Sequence, residues 1–303
     1  MEGVASLNNK YTNANEYAAD DINANYEPVP LLSDLPPTPT HISDEIRQML
    51  QTVHRITEPR QYQIDCIFHL CWRRIFLMYL IHKTGEGKSL VLLGMATILR
   101  GITVVLCPLH GLGTDQAEKS KRPEHYVEAY HLDEYREADY AKLIDRLKIY
   151  EGSDKTSIIV QISPQELREK DSRWYKILHK LAAKGYISAF CIDEVHTAVE
   201  CFDSFRKEFG EAITAMEQLI GISNAKNPNM HIPVLAMSAT FRLPEQKIFN
   251  VLMGRAADLV SWGAMDKRSD GIFCDISGDP LNSLNNDLVA AAKLNPQSQY
   301  LLV

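Results

Sequence analysis

One octapeptide constrains this chain more than any other stretch: His82-Lys83-Thr84-Gly85-Glu86-Gly87-Lys88-Ser89. It lies between a short apolar run, Ile75 to Ile81, and an apolar segment of helical spacing, Lys88 to Leu99. Glycines at a strand-to-helix turn let successive backbone N–H groups point inward and cradle phosphate, and the helix N-terminus that follows favours the same negative charge. A lysine at the seventh place reaches the outer phosphates, and a serine at the eighth offers its hydroxyl to Mg²⁺. The common form of this loop begins with glycine. Here the first place is His82, read as a space-filler beside the loop rather than an acid or base.

Similar apolar runs recur along the chain. Thr103–Cys107 ends at Pro108, Ser157–Ile162 at Ser163-Pro164, Ile187–Ile192 at Asp193-Glu194, and Pro233–Met237 at Ser238-Ala239-Thr240. With Ile75–Ile81 they make five expected strands. Helical spacing is expected over about 42–53, 61–73, 88–99 and from Leu167 to Leu181. Strands alternating with helices predict an α/β domain whose mainly parallel sheet carries helices on both faces. Polar and glycine residues gather after the strands, at the edge where open α/β sheets hold ligands.

Three regions follow. Residues 1–40 hold six acids against Lys10, end in a crowd of prolines and show no periodicity, so a disordered acidic tail is expected. Residues 41–262 form the α/β domain. Residues 263–303 read as a linker and the start of a further unit, with a strand near Gly271–Ile276, a helix over Leu284–Lys293 and a strand at Tyr300–Val303. The chain stops inside that last strand, as a truncated sequence would. The tail accounts for -5 of the formal net charge of -7, leaving -2 for the rest, so no broad basic footprint for nucleic acid is present. The longest apolar run is far shorter than the ~20 residues that span a bilayer. No signal segment opens the chain, so an intracellular protein without a membrane partner is expected. Six cysteines contain no C-x-x-C pair, and Cys107 and Cys191, inside apolar runs, read as small core residues.

The second chemical signal is Cys191-Ile-Asp-Glu-Val-His196, at the end of an expected strand. An aspartate at a sheet edge beside a phosphate loop can hold Mg²⁺, and the adjacent glutamate can orient or deprotonate an attacking water. A helix cap is the plain alternative for the same pair. Phe202, Phe205 and Phe209, at i, i+3 and i+7, fit the core face of a helix as well as a functional loop. Trp174 and Trp262 read as packing anchors, and the charged run Asp133–Asp145 as a solvated helix face.

Taken in order, Lys88–Ser89, Asp193-Glu194-Val195-His196 and Ser238-Ala239-Thr240 resemble motifs I, II and III of the first RecA-like motor lobe of superfamily 2 helicases. Arg60-Gln61-Tyr62-Gln63 resembles the R-x-x-Q element before motif I. The stretch from Val104 to Gln116 resembles motif Ia, and Ile162 to Leu167 motif Ib, of the RecQ-like group. Asp193 to Phe209 can be laid without gaps on the RecQ segment that runs through its aromatic-rich loop, with Phe205-Arg206 matching its F-R. The resemblance covers about Thr57 to Val260.

That resemblance implies a RecA-like P-loop NTPase domain, an ATP-dependent 3′-to-5′ DNA helicase lobe using ATP and Mg²⁺ on single-stranded or forked DNA, and nuclear placement in a eukaryote. Gln63 would read the adenine with Arg60 nearby. Thr84, Gly85, Glu86, Gly87, Lys88 and Ser89 would hold the triphosphate, Ser89 and Asp193 the Mg²⁺, and Glu194 would position water. Lys88, Asp193, Glu194 and His196 form the catalytic set, and His196, Ser238 and Thr240 would couple nucleotide state to DNA. Pro108, Leu109, Ser163, Pro164, Phe202, Phe205 and Arg206 would meet the strand, largely through backbone N–H groups to phosphates. Val195 stands where the family has Ala. Cys201 and Asp203 stand where its loop has Trp and His, which weakens the aromatic face. The second lobe, with its catalytic arginine, is expected to be missing, which would leave this chain with little unwinding of its own. An RNA helicase of the same superfamily and a non-catalytic nucleotide-binding module are the alternative readings.

Overall fold

The apolar runs are buried on both sides, which only a sheet covered by helices on each face permits. A computed structural model describes residues 29–107, 127–131, 137–150, 152, 156–168, 170–200, 207–226 and 231–263 of the chain. Seven strands form one sheet: β1 (Leu77–Ile81), β2 (Ile102–Leu106), β3 (Val127–His131), β4 (Ser157–Ile162), β5 (Ile187–Ile192), β6 (Val234–Ser238) and β7 (Leu259–Trp262). Their order is β3-β4-β2-β5-β6-β1-β7, and every pairing is parallel. All residues of β1, β2, β4 and β6 are buried.

One face is covered by α1 (Thr40–Thr52), α2 (Gln61–Cys71) and α3 (Lys88–Leu99), which pack Leu50, Ile67 and Val91 against Met78, Leu80 and Cys191. The other is covered by α4 (Glu137–Lys148), α6 (Arg173–Ala183), α8 (Lys207–Lys226) and α9 (Leu243–Leu252). Tyr79 lies among Phe241 and Phe249 there, edge-on to both rings. Trp174 packs into that same core, as expected, and so does Phe209, which settles on the core-face alternative. The charged run is helical from Glu137, but not only a solvated face: Leu143 and Ile144, with Leu147 beyond the run, enter the core. Cys66, Cys71, Cys107 and Cys191 are buried thiols outside any disulfide. Among the described residues, no helix is long and apolar enough to cross a membrane.

Three expectations need correction. The five expected strands are joined by β3 and β7, the two edge strands. An edge strand pairs on one side only and is short, so it needs no continuous apolar run. β7 is anchored by the Asp258 carboxylate, whose Oδ2 accepts the N–H groups of Phe76 (2.7 Å) and Leu77 (2.9 Å) at the start of β1. The expected helix from Leu167 to Leu181 is two, α5 (Pro164–Arg168) and α6, because Ser172 Oγ accepts the Tyr175 N–H and caps a new start. Residues 29–39, expected to belong to the tail, pack against the domain. Leu31 bridges Val260, the Val260 N–H donates to the Pro30 carbonyl (3.0 Å), and Leu32 and Leu35 pack on the α1–α2 side. Prolines hold such a segment extended, so it packs without any helical or alternating signal. The elements expected after residue 263 lie outside the described residues.

The turn between α3 and β2 is strained. Arg100 has φ 54 and ψ 179, a region nearly restricted to glycine, and Gly101 follows at φ 85. A Cβ at Gly101 would lie 2.8 Å from the Tyr186 carbonyl oxygen. Arg100→Gly is therefore expected to stabilise the domain by about 1 kcal/mol net of the added chain entropy, whereas Gly101→Ala destabilises it; urea unfolding checks both. In α8, burial pushes the Glu217 carboxyl up to about 7, against a smaller opposing effect of Arg255. A carboxyl raised in the folded state favours folding below its unfolded value and loses that contribution as pH rises through about 7. Glu217→Gln should thus melt like the wild type near pH 4 and higher than it above pH 7, by roughly 1–2 kcal/mol after allowance for partial exposure.

Candidate functional site

The loops that follow β1, β5 and β6 all leave the carboxyl edge of the sheet. β6 lies between the other two, so the Lys88 loop and Asp193 hang from strands separated by one neighbour rather than adjoining ones. Backbone bonds fix the edge: His82 N–H donates to the Ser238 carbonyl (3.2 Å), Val195 N–H to Met237 (2.9 Å) and Asp193 N–H to Leu106 (2.9 Å).

The octapeptide turns as its glycines require. Gly85 has φ 83 and Gly87 φ 89, and α3 begins at Lys88. Lys88 Nζ donates to the His82 (2.7 Å) and Lys83 (3.3 Å) carbonyls, which holds the ammonium inside the loop. Burial lowers its pKa, while Glu194, Asp193 and Glu86 act in the opposite direction. Lysine and both box carboxylates therefore share one electrostatic site.

Asp193 is 9% exposed, and burial followed by the neighbouring Glu194 raises its carboxyl to about 6, despite Lys88 and His196 nearby. Its Oδ1 accepts the Glu194 N–H (3.0 Å). Glu194 has φ 49, a left-handed backbone rare for glutamate and one that marks functional turns. His196 Nδ1 lies 2.8 Å from Ser238 Oγ and 3.2 Å from Glu194 Oε2. Ser238 Oγ donates to the Thr240 carbonyl (2.6 Å) and accepts the Thr240 N–H (3.1 Å). Its proton is thus committed, so Nδ1 of His196 is assigned as the donor toward both Ser238 and Glu194. The β5 and β6 loops are one network.

Gln63 is 4% exposed and fully engaged: Oε1 accepts the Arg60 N–H (2.8 Å), and Nε2 donates to the Gly87 (3.1 Å) and Glu86 (3.4 Å) carbonyls. It braces the loop from below. His82 is more than a filler. Its ring stacks on Tyr62 at 3.8 Å, Nδ1 meets Glu86 Oε2 (3.1 Å), and Nε2 meets Ser261 Oγ of β7 (3.0 Å). Tyr62 also donates its hydroxyl to the Glu86 carbonyl (2.6 Å). Tyr62 and Ser261 carry no motif, and no signal in the sequence singles them out; only the fold brings them to His82.

Thr84 and Gly85 are exposed at the loop's crest, and Ser89 opens α3 beside Lys88. Ser163 (5% exposed) and Pro164 follow β4 on the same sheet edge and are buried. Pro108, Leu109, Phe202, Phe205 and Arg206 lie outside the described residues. Among the described residues, no group of three or more His, Cys, Asp or Glu could hold a metal ion alone. A divalent cation fits Asp193 nonetheless, since a buried carboxylate raised toward 6 regains its charge beside a cation, and Ser89 and phosphate oxygens would complete the set.

Fold and site together define a RecA-like P-loop NTPase lobe. The sequence pattern of the DEAD/DEAH box helicases matches residues 60–248, and the chain belongs to that family. It is RecQ-like within superfamily 2, by its similarity to Q1-type and BLM-type helicases. It is 27% identical over 198 residues to a putative ATP-dependent DNA helicase Q1 of Caenorhabditis briggsae, covering 65% of this chain and 29% of that protein. It is 30% identical over 166 residues to the RecQ-like DNA helicase blm-1 of Caenorhabditis elegans, covering 54% of this chain and 15% of that protein. The matched region thus spans less than a third of either relative. The crystal structure of the helicase MrfA bound to DNA and AMPPNP superposes on 86% of this chain and 35% of its own, with TM-score 0.50 and 16% identity, a likeness of fold.

The two loop glycines should respond differently to alanine. At Gly85 an added Cβ meets nothing within 4 Å, so Gly85→Ala costs only backbone strain, about 1 kcal/mol. At Gly87 it would lie 2.5 Å from Gln63 Nε2, so Gly87→Ala also breaks the Gln63 brace and should cost about 2–3 kcal/mol. Urea unfolding of the two variants measures the gap.

Proposed function

We propose that this chain is the first motor lobe of an ATP-dependent DNA helicase that moves 3′ to 5′ along a single strand, acting in DNA repair or recombination, and in the nucleus of a eukaryote. The observation that carries the reading is the convergence of Lys88, Asp193, Glu194 and the His196–Ser238 bridge on one sheet edge. Backbone N–H groups from Thr84 to Ser89 bind the phosphates, and Lys88 moves from the loop carbonyls onto the outer phosphate oxygens. Gln63 and Arg60 line the adenine side. Ser89 and Asp193 hold Mg²⁺, which supplies neutralisation of phosphate charge when bound. Glu194, oriented by the His196 N–H, aligns an attacking water and accepts its proton. His196, Ser238 and Thr240 tie that carboxylate to the loop after β6, so a change at the nucleotide is felt on the edge where Ser163 would present its backbone N–H to a DNA phosphate, with Pro164 beside it. Unwinding belongs to the whole two-lobed protein, with an arginine from the second lobe stabilising the transferring phosphoryl group.

Lys88→Ala is expected to abolish ATP–Mg²⁺ binding in calorimetry; equal affinity in both proteins would overturn the phosphate site. Glu194→Gln is expected to bind normally while single-strand-stimulated phosphate release falls by about 10²–10⁴-fold. Unchanged release would remove Glu194 from its role. Stimulation by RNA in place of DNA would assign the lobe to RNA, and no stimulated release in the wild type would make it a binding module.

A further inference from the structure

A second concave site lies on the opposite edge of the sheet. It is a cavity of about 340 Å³, built from the segments that lead into β1, β2, β4, β5 and β6 rather than those that leave them. Arg74, Arg100, Lys184 and His231 line it, and its described lining contains no carboxylate. None of these four bases forms a salt bridge with a described residue. Lys184 instead sits over the Tyr186 ring, 5.6 Å from its centroid.

Bases at helix C-termini have an ordinary reason to be there. α2, α3, α4, α6 and α8 all end at this edge, and each helix C-terminus carries roughly half a negative charge, about -2.5 together. Arg74, Arg100 and Lys184 supply three full charges, and His231 a fourth when protonated. Among the described residues a positive excess of about +0.5 to +1.5 therefore remains after the helix ends are satisfied. Two of the bases are held there at a cost. Arg74 has φ 52 and Arg100 φ 54, both backbone conformations that glycine would adopt without strain. Left-handed residues often terminate helices, but here both are arginines that line one cavity with no acid partner among the described residues, an arrangement that can meet an anion.

We infer that this cavity binds a phosphate-bearing anion, a site separate from the nucleotide loop. A pocket, rather than a groove, suits a terminal or free phosphate better than a strand running through it. A phosphate monoester brings a charge of about -2 and three acceptor oxygens, which two guanidinium groups and an ammonium can meet. α3 joins the two sites: Lys88 stands at its first residue and Arg100 just past its last, about 18 Å apart along twelve residues.

The test uses the full chain carrying Lys88→Ala, which disables the nucleotide loop, so its outcome is independent of the helicase reading. Sodium pyrophosphate, a 5′-phosphorylated dinucleotide and its unphosphorylated counterpart are titrated by NMR at low salt. In the comparison protein Arg74→Gly and Arg100→Gly are added; glycine removes the charge and relieves the backbone, so thermal melting should show an intact fold. Saturable pyrophosphate binding that weakens about 10- to 100-fold in the comparison protein supports the site. Binding of the phosphorylated dinucleotide as well, and not of its counterpart, identifies a strand end as the source; binding of pyrophosphate alone identifies a free anion. No saturable binding of either phosphate probe, or equal affinity with and without the two arginines, overturns it.

Discussion

The arrangement rests on the parallel pairing of β6 between β5 and β1. Parallel strands send all their carboxyl ends to one edge, so the loops after β1, β5 and β6 emerge side by side. Each carries polar groups that could not survive inside the sheet, where β1, β2, β4 and β6 are wholly buried. The apolar sheet drives folding, and its edge is where backbone polar groups and charged side chains can be left to a ligand. A shift of β6 by one residue would reverse the side-chain faces of Met237 and Ser238 and break the bridge to His196.

At that edge the protein holds its reactive groups in costly states. Asp193 is buried beside another carboxylate, Lys88 is partly desolvated, and Glu194 has a left-handed backbone. Each cost is one that a polyphosphate and a divalent cation would offset. The brace beneath the loop is more specific to this chain. His82, Tyr62, Glu86 and Ser261 tie the loop to α2 and to the edge strand β7, so the phosphate loop is joined to both of its flanks.

Much of this was legible in the residues. α3 and the strands β4 and β5 fall where their apolar runs begin and end, because a fully buried strand must be continuously apolar and its neighbours must not be. The glycine loop and the Asp193-Glu194 box stand out by residue types and by their place after apolar strands, a pattern that phosphate and metal chemistry would use. The edge strands, the split of one helix at Ser172 and the packed segment from Val29 to Pro39 were not legible. Edge strand β7 and the packed segment depend on partners distant in sequence, Asp258 on the N–H groups at the start of β1 and Leu31 on Val260, while the split rests on the Ser172 cap of Tyr175, a local bond that the continuing apolar pattern hides.

The sequence by itself determined the fold class and the places of the glycine loop and the box, since those depend on local periodicity and on residue types a few positions apart. The tertiary structure alone decided that β6 separates the two halves of the site, that His82 is a bonded member of the loop's brace, and that four bases from four separate segments share one cavity. Those facts depend on which strands become neighbours, and strand order is set by the packing of the whole sheet, which no local pattern encodes.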